Sequence, residues 1–435
     1  MSELTRRASA LAAPLRSIAR LDARERMFAA WVRNLRPRYL DGNTVQLMQG
    51  GTEFFPQLEQ AIAGAREEVL LETYLFEDDP SGRRIAAALS DAARRGVQVH
   101  VTVDGFGCGE RCTDLHEQMR DAGVRIEVFR PERRLLALNR QRLRRLHRKI
   151  VVVDGRVAFV GGINILDDYY DPNHGALDAP RLDFATRLAG PIVRPIHYAA
   201  HRHWWSLSLV NRSLKRLGRP PDARYWSRVR LPEPVTPHAV PVGDVRAMLV
   251  LRDNLRFRHT IERRYLWAIR RAQREILIAN AYFLPGLRFR HALIAAARRG
   301  VRVRLLLQGR VEYRLQHYAS QALYGELLHG GVEIVEYTKS FLHAKVAVID
   351  DWATVGSSNI DPFSLLLARE ANVVIADPGF ARALHGRLET AIADGGRAVA
   401  LHHMRRRPWL VRVAHWLSFG LLRLGVALSG VAGRY

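Results

Sequence analysis

Between residues 61 and 105 the apolar positions change period three times. Helical spacing in AIAGAREE gives way to the nearly continuous apolar run VLLETYLF. A second helical pattern follows and ends in AARRG, after which VQVHVTVDG reads as another strand. Residues 268–309, AIRRAQREILIANAYFLPGLRFRHALIAAARRGVRVRLLLQG, repeat the sequence of periods. In both copies a glycine, Gly96 or Gly300, stands where a helix needs a residue tolerant of left-handed backbone. Each copy continues into a further helix and strand, MRDAGVRIEVF and LLHGGVEIVEY. Helices alternating with apolar strands predict an α/β fold, a sheet covered on both faces.

The repeat implies a duplication: a first half over 41–218 and a second over 242–400, each an α/β/α sandwich. A proline-rich linker, 219–241, separates them. Residues 1–40 read as an arginine-rich amphipathic arm. Residues 401–435 read as a basic amphipathic tail, with Arg405, Arg412, Arg423 and Arg434 on one stripe and Trp409, Trp416 and Phe419 beyond it. A terminal helix docked on the protein would give the same pattern. No window is apolar enough over about 20 residues to predict a membrane-spanning helix. No signal-type apolar core precedes the first half. The expected location is therefore on the cytoplasmic side, with any membrane contact peripheral.

Charge narrows the partner. The 435-residue chain carries a formal charge of +24, which favours an anionic partner: a membrane surface, a phosphorylated substrate or nucleic acid. The basic run RPERRLLALNRQRLRRLHRK, 130–149, fits anionic headgroups. Sparse aromatic interleaving argues against nucleic acid. The two cysteines, Cys108 and Cys112, form no disulfide framework or zinc set and read as free thiols.

Of the 67 basic residues, only Lys149, Lys215, Lys339 and Lys345 are lysines. Two of these fall in matching strands, HRKIVVVD at 147 and HAKVAVID at 343. A chain that uses arginine almost everywhere keeps lysine here, as a site needing a compact ammonium would. Strand parity puts His147 and Lys149 on one side and Arg148 on the other. Asp154-Gly155 predicts a two-residue hairpin, bringing Gly162 roughly opposite His147. Gly161 and Gly162 would then clear bulk beside the imidazole, with Asn164 following. VGSSN returns similarly with Gly356, Ser357 and Asn359, one residue sooner after its aspartate. Asp154 and Asp350 have the opposite parity, which suits hairpin and salt-bridge residues that hold the motif. Asp183 and Glu370, lone acids at strand heads, are candidates to orient the imidazoles.

HRKIVVVDGRVAFVGGIN and HAKVAVIDDWATVGSSN resemble the paired HxKx4D signature of the phospholipase D superfamily. LLETYLF, AYFLPG and GSSNIDP look like bacterial cardiolipin synthases of the type lacking transmembrane helices. The resemblance covers about 41–400. It implies a duplicated fold with one active site between the halves and a catalytic set of His147, Lys149, Asp154, His343, Lys345 and Asp350. Asn164, Asn359 and Ser357 would bind phosphate. It implies His147 as nucleophile and His343 as acid and base, with no cofactor and no metal. The expected activity is phosphatidyl transfer from phosphatidylglycerol to a second phospholipid headgroup, making cardiolipin. Anionic phospholipids and the membrane surface are the expected partners. Two alternatives keep the charge: a phospholipase D-type hydrolase of lipid or nucleic acid, and a non-catalytic binder of anionic surfaces.

Overall fold

The computed structural model describes residues 35–108, 112–131, 144–217, 240–254, 257–405 and 408–426. Most of the N-terminal arm, the linker and the basic run, and the last nine residues of the tail, lie outside the described residues.

The first half runs β1 (Leu40–Gln49), α1 (Gly50–Ala63), β2 (Glu68–Thr73), α2 (Pro80–Arg94), β3 (Gln98–Asp104), α3 (Thr113–Asp121) and β4 (Arg125–Phe129). The hairpin β5 (Lys149–Val153) and β6 (Val157–Gly161) follows. Two short strands, β7 (Tyr170–Asp171) and β8 (Gly175–Ala176), then lead to β9 (Phe184–Ala189) and α4 (Val193–Leu217). The second half repeats this as β10 (Val245–Arg252), α5 (Thr260–Arg271), β11 (Glu275–Asn280), α6 (Leu287–Arg298) and β12 (Arg302–Gln308). Next come α7 (Arg314–Ala322), α8 (Tyr324–His329), β13 (Glu333–Tyr337), β14 (Lys345–Ile349), β15 (Trp352–Gly356) and α9 (Pro362–Leu366). It closes with β16 (Glu370–Ala376), α10 (Pro378–Gly395), β17 (Gly396–Ala398), α11 (Leu401–Arg405) and α12 (Trp409–Val426).

The duplication is visible in the ladder itself. One 15-stranded sheet has the order β17-β13-β12-β11-β14-β15-β16-β10-β1-β9-β6-β5-β2-β3-β4. Reading outward from the antiparallel β10–β1 pair, each half repeats the other's strand order. Side chains alternate across this sheet, as period two requires. Leu70, Ile150, Leu277 and Val346 enter one central core with Ile196 of α4 and Leu384 of α10. Val69 and Val151 face a separate core under α1 and α2, and Ile276 and Ala347 face one under α5 and α6. Each fully buried Leu or Ile contributes roughly 1.5–3 kcal/mol. The central core, built from both halves, therefore fixes their mutual position.

The hairpins differ from expectation in one place. Val153 pairs with Val157, so the first turn holds three residues, Asp154–Arg156, not two. Ile349 pairs with Trp352, so the second holds two. The difference stays inside the turn: Lys149 pairs with Gly161, and Val346 with Val355, which sets Gly356 across from Lys345. Asp154 and Asp350 adopt left-handed backbone, with φ of 50° and 51°. Neither side chain lies near the histidines; both sit at the far ends of the motif strands. Asp154 accepts from the backbone N–H groups of Arg66, Glu67 and Glu68, at 3.0, 2.8 and 2.9 Å. Asp350 accepts from those of Gln273, Arg274 and Glu275, at 2.9, 3.0 and 3.0 Å. The two aspartates are thus amide anchors for the entries to β2 and β11. They are neither catalytic acids nor chiefly salt-bridge partners.

An anchoring role makes a stability prediction. Asp154→Ala strands three amide donors and keeps a left-handed position that alanine disfavours, so unfolding free energy should fall by roughly 2–3 kcal/mol. Asp350→Ala should cost less because its site is more exposed. Urea denaturation of both variants measures this.

The C-terminal helix α12 both docks and exposes an apolar face. His415 stacks on Tyr318 of α7 with ring centroids 5.5 Å apart, and Leu422 packs with Ala319 and Leu284. Trp409, Leu410, Trp416, Leu417 and Leu421 remain exposed. Among the described residues, no helix is long and apolar enough to cross a membrane.

Candidate active site

Four backbone segments meet where the halves join, and they meet in pairs. Leu146 forms a parallel bridge with Arg369, and Leu182 forms one with Leu342. The His147 N–H donates to the Arg369 carbonyl at 3.0 Å; the His343 N–H donates to the Leu182 carbonyl at 2.8 Å. Each histidine is therefore held, just before its strand begins, against the segment delivering the other half's acid.

The side chains cross accordingly. His147 Nδ1 lies 3.0 and 3.1 Å from the Glu370 carboxylate oxygens and 3.1 Å from the Ser357 carbonyl. His343 Nδ1 lies 2.6 Å from Asp183 Oδ2. Three acceptors surround Nδ1 of His147, so that nitrogen carries the proton and Nε2 keeps a lone pair. His343 Nδ1 has an acceptor in Asp183 but also Lys345 Nζ at 2.7 Å. One N–H serves the carboxylate, so Lys345 donates instead to the His343 carbonyl, as Lys149 does to that of His147 at 2.8 Å. The histidine side chains keep 15% and 16% of their surface exposed, whereas Glu370 and Asp183 keep 0% and 3%. The carboxylates are sealed behind the rings, which leaves an imidazole edge for a ligand.

Burial and mutual charge tune the group. Burial first, then Lys345 and Lys149, push His343 well below the ordinary histidine range. Burial also lowers His147, with Glu370 opposing and the two lysines adding to the shift. Each imidazole feels both lysines, so the four groups share one field. Burial, reinforced by Lys345, brings Lys149 down to about 7. Burial brings Lys345 to about 8, against the raising effect of Asp183 and Glu370. Burial raises Asp183 to about 6. If protonated lysines hold an anionic substrate, activity should fall as pH climbs through about 7 to 8, where these ammonium groups lose their protons. The acid limb should lie below the usual histidine range. A kcat/KM–pH profile on phosphodiester substrate tests both limbs; a flat profile to pH 10 would contradict the assignment.

The returning strands serve the carboxylates rather than clearing the imidazoles. A Cβ on Gly162 would fall 2.2 Å from Asp183 Oδ1, and one on Gly161 would meet Ala185. In the second half the corresponding residue is Ser357, whose hydroxyl donates to Glu370 Oε2 at 2.5 Å and accepts from the Ala371 N–H at 3.0 Å. Ser357 thus buttresses Glu370 and is not turned to phosphate. Asn164 accepts from the Leu75 N–H at 3.2 Å, which leaves its NH2 group as a donor. Asn359 is buried, and its Oδ1 has no partner among the described residues.

Several residues here were not singled out in the sequence. Tyr74 sets its ring edge-on to His147, centroids 5.1 Å apart, and lies under Lys149 Nζ at 5.4 Å. Arg148, turned away from the site as parity predicts, bonds Glu72 at 2.9 Å, and His203 of α4 bonds the same carboxylate at 2.8 Å. Burial pushes Glu72 up, but Arg148 and then His203 outweigh it and hold the carboxylate ionised. This buried cluster ties the histidine loop to β2 and α4. An acid within LLETYLF, inside a buried strand, was the signal for it.

Known proteins bear on this arrangement. A family model described as "Cardiolipin synthase, PLD-like domain" matches residues 58–177 and 265–392, one match in each half. Cardiolipin synthase B of Shigella flexneri is 40% identical over 394 residues, 90% of each chain. Cardiolipin synthase B of Escherichia coli K12 is 39% identical over the same shares. A probable cardiolipin synthase of Bacillus subtilis is 32% identical, over 85% of this chain and 70% of its own. Among solved structures, phosphatidylserine synthase of Haemophilus influenzae shares the fold with a TM-score of 0.64 at 12% identity, covering 91% of this chain and 98% of its own. With both halves matched and two crossed histidine–carboxylate pairs between them, this chain belongs to the cardiolipin synthase family of phospholipase D-like proteins.

Proposed function

We propose that this chain transfers a phosphatidyl group from phosphatidylglycerol to the headgroup hydroxyl of a second phospholipid, making cardiolipin and releasing glycerol. The observation that carries the reading is the pair of crossed imidazole–carboxylate contacts beside two buried lysines. His147 Nε2, with its lone pair outward, attacks phosphorus. The bond from phosphorus to the glycerol oxygen breaks, and His343, which takes up a proton as the phosphate's negative charge enters beside it, gives that proton to the oxygen. The acceptor hydroxyl then gives its proton to His343 as its oxygen bonds phosphorus and the nitrogen–phosphorus bond breaks. Lys149, Lys345 and the amides of Asn164 and Asn359 hold the non-bridging oxygens as charge develops there. One phosphodiester replaces another, so no nucleotide enters the balance.

The same reading places the protein peripherally on a membrane, at the cytoplasmic face of the inner membrane. The exposed apolar face of α12, on a chain of charge +24, suits an anionic bilayer surface. Full-length protein incubated with vesicles of labelled phosphatidylglycerol should cosediment with them and yield cardiolipin and glycerol. Phosphatidic acid as the main product would favour the hydrolase, and binding without turnover would leave a surface binder.

A further inference from the structure

The two halves are not equivalent behind the histidines. β2 and β11 align residue for residue, because Phe76 and Phe283 both leave the strand to bridge Ile165 and Ile360 of their own halves. Four places earlier, Glu72 in the first half corresponds to Ala279 in the second. Arg148, next to His147, corresponds to Ala344, next to His343. Ala279 and Ala344 are fully buried members of the central core. Strand parity puts Glu72 with Leu70, and Arg148 with Ile150, on that same face. The ladder thus holds two methyl groups in one half and a buried ion pair in the other.

A buried ion pair is seldom more stabilising than well-packed apolar side chains of similar volume. Stability alone does not account for this one, and its connections lead to the reacting histidine. Arg148 Nη2 lies 3.0 and 2.9 Å from the Glu72 oxygens, and His203 of α4 bonds the same carboxylate at 2.8 Å. A third cation acts on Glu72 from the other half. Arg369, whose guanidinium lies over the Phe129 ring at 5.1 Å, helps to hold the carboxylate ionised. Arg148 directly follows His147, and Arg369 directly precedes Glu370. The Arg369 carbonyl also accepts the His147 N–H at 3.0 Å. One carboxylate therefore attracts the chain on both sides of the His147–Glu370 contact. The His343–Asp183 contact is flanked instead by Ala344 and Leu182, two apolar members of the central core.

We infer that Glu72 is a positioning residue for the first half's imidazole: by drawing Arg148 and Arg369 together it keeps Glu370 on His147 Nδ1 and Nε2 aimed at phosphorus. The inference rests on the phosphatidyl-transfer reading above. It makes the duplicated site one-sided, since only the His147–Glu370 contact carries this brace. Formation of the bond to phosphorus depends on Glu72; binding of the donor does not. A small misplacement of an attacking atom is enough to cost about 10²-fold in rate.

The test isolates that step in full-length His343→Ala protein, with phosphatidyl-p-nitrophenol carried in phosphatidylglycerol vesicles. His147 Nε2 bonds phosphorus, the bond to the aryl oxygen breaks, and p-nitrophenolate departs as the anion without needing a proton. Its release in one burst per site reads the rate of adduct formation. Adding Glu72→Gln should slow the burst at least tenfold at saturating donor, with full amplitude and an unchanged half-saturating concentration. Glu72→Asp should recover part of the rate. The pair Glu72→Ala with Arg148→Ala installs the second half's own alanines, so it leaves no lone buried charge between them, and it should slow the burst equally. A burst at the parent rate in either folded variant would overturn the positioning role. So would a loss of amplitude at unchanged rate, or failure of both variants to fold by circular dichroism, since either makes the cluster purely structural. No burst with Glu72 intact would overturn the transfer reading, and this inference with it.

Discussion

His147→Ala and His343→Ala should each lower phosphatidyl transfer by about 10³-fold or more while leaving the fold intact. The two losses differ in kind. Without His147 no nitrogen attacks phosphorus, so no covalent adduct forms. Without His343 the adduct still forms slowly from a donor with a good leaving group, then persists because nothing deprotonates the acceptor. Rapid quenching of labelled substrate should trap label on His343→Ala and none on His147→Ala. The asymmetry follows from the surroundings of the two rings. His147 presents Nδ1 to three oxygens, which fixes the nucleophilic tautomer, whereas His343 has an ammonium as well as a carboxylate at Nδ1. Adduct trapped in the His147 variant alone would reverse the roles.

The carboxylates carry the second large effect, and its sign depends on the crossing. In Glu370→Gln the new amide can donate to His147 Nδ1, which drives the proton to Nε2 and blocks the attacking lone pair. Loss of the anion also removes support for the imidazolium. A drop in kcat of roughly 10²–10⁴-fold is expected, as for other carboxylate-oriented histidines. In the His343→Ala background, Glu370→Gln should abolish the trapped adduct and Asp183→Asn should spare it. If each acid served its own half's histidine, Asp183→Asn would be the one to abolish it. Gly162→Ala should resemble Asp183→Asn, because its Cβ would fall 2.2 Å from the Asp183 carboxylate.

Much of this site follows from periodicity and spacing. The duplication shows when the two halves are compared along the chain, and the strand parity that separates Lys149 from Arg148 and the two late acids depend on positions within one half, where local geometry decides. The crossing was not legible, because it rests on bridges between residues 146 and 369 and between 182 and 342. Nothing local in either half specifies its partner. The family resemblance implied a phosphate contact for Ser357. Its function as a brace for Glu370 emerges only when β16 lies beside β15. The first turn holds one residue more than a two-residue hairpin, since left-handed Asp154 and Gly155 are followed by Arg156, whose N–H returns to Val153.

Vanadate, which takes up the five-coordinate geometry of a phosphoryl group in transfer, tests the shared site directly in a crystal of the full-length protein. One vanadium atom should bond His147 Nε2, with His343 within hydrogen-bonding distance of the opposite apical oxygen and both lysines on equatorial oxygens. Vanadate held by one histidine alone, with the other ring facing a separate surface, would contradict the account.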